Sequence, residues 1–209
     1  MTILWDWNGT LLDDVQLTLD LENRLFKAHG YPTIGLAEYR QKFCFPVLDY
    51  YRALGVRDED FPPIADAWAI EYRTASQGCP LAKTALETAK RFQQAGFRQV
   101  ILSASKQSML SEQVASYPEL DGVFDEILGI ADHYAASKVQ LALDYLHRGG
   151  VDPQDAVFLG DTLHDAEVAA AIGCRCMLIS GGHQSDEVLA RAGVPVMPSL
   201  AAAASALLT

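Results

Sequence analysis

Residues 2–14 read TILWDWNGTLLDD, and the prediction of the fold starts from this stretch. The letters TILW are mostly apolar, as is typical of a buried strand, and the strand ends at Asp6. The turn Asn8-Gly9-Thr10 follows, and glycine permits the sharp backbone bend that such a turn needs. A carboxylate between a strand and a turn is either a simple turn residue or part of a site, and the rest of the chain decides between the two.

The composition narrows the class of protein. The chain has 209 residues, of which 50% are hydrophobic, so one large domain or a domain with an insert can bury a sizeable core. The net charge of −11 argues against binding to nucleic acid or to an anionic membrane, because both need clustered Lys and Arg. The sequence contains neither a secretory signal pattern nor an apolar run of the roughly 20 residues that span a bilayer. We therefore expect a cytoplasmic protein with reduced cysteines.

Helix and strand patterns alternate from about residue 80 onward. The helices end at Gly96, Gly173 and Gly193, where glycine supplies the left-handed backbone conformation that closes a helix before a parallel strand. Uninterrupted apolar strands indicate a sheet that is covered on both faces. The sequence thus predicts an α/β core in three layers, with a central parallel sheet. Its later strands are predicted at residues 100–103, 156–160, 176–180 and 194–198.

The block after the opening stretch has a different pattern. Leu17, Leu21 and Leu25 recur at helical spacing, and further helical patterns follow between glycines and prolines. Apolar strand patterns like those of the later region do not occur in this block. We predict an inserted α-helical cap at residues 14–80 and a core built from residues 1–13 and 81–209.

Polar residues follow the predicted strands at the points where the strands end. Asp6, Ser103 and Asp161 each end a strand, Asp165 lies four residues further on, and Lys138 begins a helix. Parallel strands joined by right-handed crossovers have their carboxyl ends at one edge of the sheet, where ligands bind. Three carboxylates repel one another unless a cation lies among them, and hard oxygen ligands suit Mg²⁺. Together with the ammonium of Lys138, the hydroxyl of Ser103 and the N–H groups of the turn after Asp6, these carboxylates suit a phosphoryl group.

Four motifs in this order carry a resemblance to a known family. The motifs are DWNGT at 6–10, ILSAS at 101–105, Lys138, and GDTLHD at 160–165. With them the chain resembles the haloacid dehalogenase superfamily, in its phosphatase branch with a helical cap, and most closely the phosphoglycolate phosphatase-like proteins. The resemblance covers essentially the whole chain. It implies a Rossmann-like core, Mg²⁺ as the cofactor and a small phosphorylated metabolite as the substrate.

The resemblance also implies a role for each matching residue. Asp6 is expected to be the nucleophile, which forms an aspartyl-phosphate, and also a metal ligand. The backbone carbonyl of Asn8 and the carboxylates of Asp161 and Asp165 are expected to complete the protein's share of the metal site. The residues expected to bind phosphate are Asn8, Gly9, Ser103, Ala104 and Lys138.

Asn8 departs from the family pattern, in which the second residue after the nucleophile is usually aspartate. That aspartate protonates the leaving group and later activates water, whereas an amide cannot exchange a proton at neutral pH. Three interpretations follow: a phosphatase for good leaving groups or with a substitute such as His164 or His183, a weak phospholigand-binding protein, or a dehalogenase. The intact pair Asp161 and Asp165 argues against the dehalogenase, which needs no Mg²⁺. Deamidation of the Asn8-Gly9 pair is a further hypothesis.

Several of these residues also have ordinary structural interpretations. Asp161 and Asp165 could cap the helix that follows them. Lys138 could be a solvated lysine at a helix start, with Lys106 near the phosphate in its place. Each histidine could be a surface residue or a residue behind the site.

Overall fold

The protein was analysed as a computed structural model that describes residues 1–130 and 138–208. Within these residues, the strands are β1 (Thr2–Trp5), β2 (Arg98–Lys106), β3 (Glu126–Ile130), β4 (Ala156–Gly160), β5 (Arg175–Ile179) and β6 (Val196–Met197). They form a single parallel sheet in the order β3-β2-β1-β4-β5-β6. The predicted parallel sheet is therefore confirmed, with β1 at its centre.

The helices of the described residues fall into an insert and a core set. The insert follows β1 and contains α1 (Val15–Ala28), α2 (Leu36–Lys42), α3 (Val47–Ala53) and α4 (Phe61–Ala75). The core set is α5 (Ala85–Gln94), α6 (Gln107–Ala115), α7 (Lys138–Gly149), α8 (Leu163–Ile172), α9 (Asp186–Leu189) and α10 (Leu200–Leu207). None of the helices in the described residues has both the length and the apolar character needed to cross a membrane.

The sheet separates two hydrophobic layers, because successive side chains of a strand point to opposite faces. Ile3 and Trp5 of β1 pack with α5, α6 and α10 on one face. Leu4 packs with α7 and α8 on the other face. This is the three-layer α/β arrangement that the uninterrupted apolar strands predict.

Helices α1 to α4 bury a hydrophobic cluster of their own. Its members include Phe26 of α1, Tyr39 of α2, Tyr50 of α3 and Ile64 of α4, each at most 1% exposed. The helical pattern predicted for this block is thus present in the structure. The division into a core at 1–13 and 81–209 and a cap at 14–80 stays our prediction.

Three details differ from the sequence-based expectation. Strand β3 was not predicted, because it is short and interrupted by Gly129, where a Cβ atom would lie 2.7 Å from the carbonyl oxygen of Ser105. Strand β2 continues beyond Ser103 to Lys106, with an irregular register against β3. Helix α8 begins at Leu163, three residues before the helix predicted from its alanine-rich pattern.

Glu22 is an unusual member of the insert, because its carboxyl group is buried among aromatic side chains. The residue is 3% exposed, and its Oε2 accepts a hydrogen bond of 2.7 Å from the hydroxyl of Tyr50. Burial disfavours the charged form and raises the pKa of Glu22 to about 7, against the opposing effect of the Tyr50 hydrogen bond. The insert therefore carries an ionisable group whose charge destabilises it at high pH.

We predict that Glu22→Gln stabilises the protein in a pH-dependent way. A carboxyl group whose pKa is raised in the folded state does not lower the unfolding free energy at a pH below its unfolded pKa. The unfolding free energy falls as the pH rises from the unfolded pKa to the folded pKa. The gain in unfolding free energy should be about 3 kcal/mol near pH 8 and should vanish near pH 4. Urea unfolding across this range measures it, with Glu119→Gln on the exposed surface as the control. A gain that does not vary with pH would contradict the prediction.

Candidate active site

Three buried carboxylates meet at the carboxyl edge of the sheet. Asp6 follows β1, Asp161 follows β4, and Asp165 lies in the first turn of α8. Strands β1 and β4 are neighbours, and the Asp6 amide donates to the Leu159 carbonyl at 2.8 Å. One oxygen from each of the three carboxylates lies within 4.8 Å of the others. The structure thus brings together the acidic residues that the sequence places at separate strand ends.

Lys138 joins two of these carboxylates. Its Nζ lies 2.5 Å from Oδ1 of Asp6 and 2.6 Å from Oδ1 of Asp165, and the side chain is 3% exposed. It also lies 4.9 Å from the centre of the Phe158 ring. The interpretation of Lys138 as a solvated lysine is therefore wrong.

Burial and charge move the pKa values of these groups in different directions. Burial raises the pKa of Asp6 well above its usual range, although Lys138 opposes the shift. Burial would also raise the pKa of Asp165, but the charge of Lys138 and the hydrogen bonds from Lys138 and Thr162 together hold the pKa below its usual range. Burial opposes the charge of Lys138, yet the two carboxylates raise its pKa. The lysine therefore stays an ammonium.

Asp165 also forms the capping box at the start of α8 together with Thr162. Its Oδ2 accepts hydrogen bonds from the Asp161 amide at 3.1 Å and from the Thr162 amide at 3.0 Å. The Thr162 hydroxyl donates to the same oxygen at 2.7 Å. The helix-capping interpretation is right for Asp165, and its Oδ1 still faces Lys138.

Asp161 is held by two donors from different elements. The hydroxyl of Thr10 donates to Oδ1 at 2.8 Å, and the amide of His183 donates to Oδ2 at 2.6 Å. Burial raises the pKa of Asp161 to about 6, with the charge of His183 opposing the shift. The carboxylate is thus fixed in place by the turn after β1 and by the loop after β5.

Glycines surround the carboxylates because no side chain fits there. A Cβ atom at Gly9, at Gly182 or at Gly160 would lie 2.3 Å, 2.2 Å and 2.4 Å, respectively, from an atom of Asp161 or Asp165. Gly9 also has a positive φ of 72°, which disfavours other residues. Gly182 was missed at the sequence level, since it belongs to a loop that approaches Asp161 only in the folded chain.

The donor set of this edge fits a divalent cation. Asp6, Asp161 and Asp165 offer three hard oxygen donors against the single positive charge of Lys138. Burial raises the pKa of Asp6, and the charges of Asp165 and Asp161 add to the shift. A bound Mg²⁺ would neutralise the excess and keep Asp6 ionised.

Two of the residues predicted to bind phosphate, Ser103 and Ala104, lie on the neighbouring strand β2. Ser103 is 1% exposed in β2, and its hydroxyl accepts a hydrogen bond from the Ser105 amide at 3.1 Å. Ala104 follows on the same strand and is half-buried. Lys106, at the end of β2, is exposed, whereas Lys138 contacts Asp6 directly. The geometry therefore favours Lys138 over Lys106 as the cation of the site.

The side chain of Asn8 points toward the helical insert. Its Nδ2 donates to Oδ2 of Asp14 at 2.9 Å and to the hydroxyl of Tyr72 at 2.6 Å. Its Oδ1 accepts from the Ser105 hydroxyl at 3.0 Å. Asp14, Tyr72 and Ser105 were not predicted as site residues. For Asp14 a signal existed, since it closes the opening stretch TILWDWNGTLLDD.

His183 and His164, the two possible substitute acids, differ in burial and in their contacts. The ring of His183 is buried, with Nδ1 at 2.7 Å from the Tyr39 hydroxyl and Nε2 at 3.4 Å from Oδ1 of Asp14. Burial lowers its pKa, but the charge and hydrogen bond of Asp14, together with the charges of Asp161 and Asp6, raise the pKa to about 9. His164 packs on the Phe45 ring with 4.9 Å between centroids, and its Nδ1 lies 3.4 Å from Glu167. Both nitrogens of His183 thus face protein partners.

Comparison with known proteins identifies one family. The family model described as a haloacid dehalogenase-like hydrolase matches residues 1–173, which is more than three quarters of the chain. No curated protein matches the chain by sequence.

Many solved structures share the fold. A haloacid dehalogenase-like family hydrolase from Streptococcus pneumoniae superimposes with a TM-score of 0.85 at 17% identity, over 99% of this chain and 97% of the other. A structure described as a predicted phosphatase from Clostridium acetobutylicum gives 0.84 at 16% identity, over 99% and 97%. One described as a predicted phosphoglycolate phosphatase from Haemophilus somnus gives 0.76 at 14% identity, over 96% and 94%. At these identities the similarity establishes the fold alone.

We predict that Lys138→Met strongly destabilises the metal-free protein. The substitution leaves the buried carboxylates of Asp6 and Asp165 without a cation, and loss of one partner of a buried ion pair typically costs about 3–5 kcal/mol. Lys42→Met is the matched control, because Lys42 forms a half-exposed pair with Glu38 and should cost at most about 1 kcal/mol. Urea unfolding at neutral pH compares them, and equal losses would refute the prediction.

Proposed function

The chain belongs to the haloacid dehalogenase-like hydrolases, and from this premise we propose that it is a Mg²⁺-dependent phosphatase with Asp6 as its nucleophile. The observation that carries the proposal is the group of three buried carboxylates with one ammonium, directly after the central strand. Such a set suits a cation and a phosphoryl group together, because the cation offsets the repulsion between carboxylate and phosphate. The substrate is a small phosphorylated metabolite.

The metal site would be formed by Asp6, Asp161, Asp165 and the backbone carbonyl of Asn8. Bound Mg²⁺ supplies positive charge to the phosphoryl oxygens and to the nucleophilic carboxylate. Asp161 is held for this role by Thr10. Asp165, whose Oδ2 is occupied by the capping box, contributes through its Oδ1 or through a water molecule.

The reaction proceeds in two displacements at phosphorus. A carboxylate oxygen of Asp6 forms a bond to phosphorus while the bond to the leaving oxygen breaks, and the leaving group departs with that electron pair. Water then attacks the phosphorus of the aspartyl-phosphate, the bond between phosphorus and the Asp6 oxygen breaks, and the protons of the water leave with the released phosphate while Asp6 is restored as a carboxylate. The ammonium of Lys138, the hydroxyl of Ser103 and the amide of Ala104 hold phosphoryl oxygens, whereas the Gly9 amide is occupied by Asp14.

The amide side chain of Asn8 restricts the leaving groups that the site can handle. An amide cannot give a proton to the leaving oxygen, and general acid catalysis is typically worth about 10²–10⁴ in rate. Acyl and aryl phosphates lose less, because their leaving groups are stable as anions. We therefore propose that the substrate is an acyl phosphate or another ester with a good leaving group.

The helical insert at residues 14–80 serves as a cap in this proposal. Asp6 is 8% exposed and Asp161 is fully buried, so the closed site leaves little room for a substrate, and movement of the insert would open it. Closure then excludes water from the phosphoryl group during the first displacement.

A second candidate function is binding of a phosphorylated ligand with little or no turnover. The contacts of Asn8 favour it, since its side chain bonds to Asp14, Tyr72 and Ser105 and has no proton to transfer. A dehalogenase is the weaker alternative, because the carboxylate pair of Asp161 and Asp165 has no task in that reaction.

We predict that the protein hydrolyses acetyl phosphate in the presence of Mg²⁺ and hydrolyses glycerol phosphate at least about 100-fold more slowly. Phosphate release measures both rates. Asp6→Asn should abolish both activities, because an amide is a poor nucleophile, whereas Asp13→Asn, an exposed neighbour, should retain them.

Two results decide against this account. Equal rates on the acyl and the alkyl phosphate would show that another group supplies the proton. Absence of turnover on either substrate, together with Mg²⁺-dependent binding of orthovanadate, would favour the ligand-binding protein.

A further inference from the structure

We propose that Asn8 is a positioning residue that locks the helical insert to the loop of the nucleophile through Asp14 and Tyr72. Asp14 lies at the entry of the insert, directly before α1, and Tyr72 lies in its last helix, α4. Asn8 lies two residues after Asp6. One amide therefore bonds to the beginning and the end of the insert at once. This inference concerns the position of the insert and does not rest on the proposed reaction.

Both the nitrogen and the oxygen of the amide take part in this lock. An N–H of Nδ2 donates to Oδ2 of Asp14 at 2.9 Å and to the Tyr72 hydroxyl at 2.6 Å, and these two oxygens lie close enough together to share it. The Tyr72 hydroxyl donates in turn to Oδ2 of Asp14 at 2.5 Å. The amide oxygen accepts from Ser105 of β2, which anchors the group to the sheet. The four side chains thus form a closed set of donors and acceptors.

These hydrogen bonds are strong because the carboxylate of Asp14, which accepts them, is charged and shielded from water. Asp14 and Tyr72 are each 1% exposed. Burial would raise the pKa of Asp14, but His183, Tyr72 and Asn8 together hold it below its usual range, so the group is a carboxylate. The Gly9 amide also donates to Oδ1 of Asp14 at 2.8 Å. Hydrogen bonds to a buried charge are about twice as strong as neutral ones, and an orphaned partner is costly.

Only an amide satisfies this geometry at position 8. An aspartate has no N–H to give, and it would place a second carboxylate about 2.9 Å from that of Asp14. The Tyr72 hydroxyl has a single proton and cannot serve both carboxylates. The residue that lacks acid–base chemistry is therefore the residue that the lock requires, so Asn8→Asp should open the insert and not create a general acid.

A backbone hydrogen bond reports whether the insert is closed. The Ser185 amide, in the loop after β5, donates to the Arg40 carbonyl of α2 at 3.0 Å. This amide is protected only while the insert lies against the core. The Leu178 amide bonds to the Pro195 carbonyl at 2.9 Å within the core, so its exchange follows unfolding of the core instead.

The test compares amide hydrogen exchange by NMR in the full chain of wild type, Asn8→Asp, Asp14→Asn and the double variant. We expect Asn8→Asp to speed exchange at Ser185 about tenfold or more, with Leu178 unchanged. In the double variant the carboxylate and the amide exchange places. The donor and acceptor pattern is thereby restored, and exchange at Ser185 should return to within about threefold of wild type.

Two control variants separate the lock from a general loss of stability. Asn23→Asp removes a similar amide inside the insert, where Asn23 bonds to both backbone groups of Ile34, and Asp14→Asn should not rescue it. Tyr72→Phe keeps the ring stacked on Trp68 but removes the hydroxyl, so it should also speed exchange at Ser185. This variant decides the matter if Asn8→Asp does not fold.

Three outcomes would overturn the proposal. The first is wild-type exchange at Ser185 in Asn8→Asp or, if that variant does not fold, in Tyr72→Phe. The second is a double variant that exchanges as fast as Asn8→Asp. The third is an equal acceleration at Leu178, since the substitution then acts on the whole fold. None of these readouts uses a substrate, so failure of the lock is distinct from failure of the proposed phosphatase activity.

Discussion

The ammonium of Lys138 lies between the carboxylates of Asp6 and Asp165, and the candidate site depends on this contact. Three carboxylates at one buried edge are stable only if their charge is offset. The lysine offsets one of the three negative charges. The remaining negative charge at this edge suits a divalent cation. It also keeps Asp165 ionised, so that this residue can cap α8 and face the site at the same time. The positions of these side chains therefore follow from the balance between the carboxylate charges and the ammonium charge.

Much of this arrangement could be predicted from the sequence, because it follows from the topology of a parallel sheet. Asp6 and Asp161 end apolar strands, and such strand ends meet at one edge whatever the details of packing. The glycine at the end of α8, Gly173, has the left-handed conformation that its position predicts. Position along a strand or helix is local information, and the sequence carries it directly.

The parts that were missed depend on contacts between distant elements. Tyr72 reaches Asn8 across 64 residues, and no local pattern in α4 separates it from an ordinary core tyrosine. Gly182 is required by the approach of its loop to Asp161, which only the folded chain creates. The open question at Asn8 therefore needed the structure. Its amide is held by a carboxylate and a phenol, so its identity is explained by hydrogen bonding across the insert.

The central claim is that Asp6 becomes phosphorylated, and chemical trapping tests it most directly. The protein is mixed with Mg²⁺ and acetyl phosphate that is radiolabelled at phosphorus, and it is quenched in acid within milliseconds to count the label. A parallel sample is reduced with borohydride, which releases the phosphate and converts the phosphorylated aspartate to homoserine for mapping. We expect a label that is stable in acid, labile to hydroxylamine and absent from Asp6→Asn, and homoserine at position 6 alone. A label on another residue, or phosphate release from acetyl phosphate without any trapped label, would contradict it.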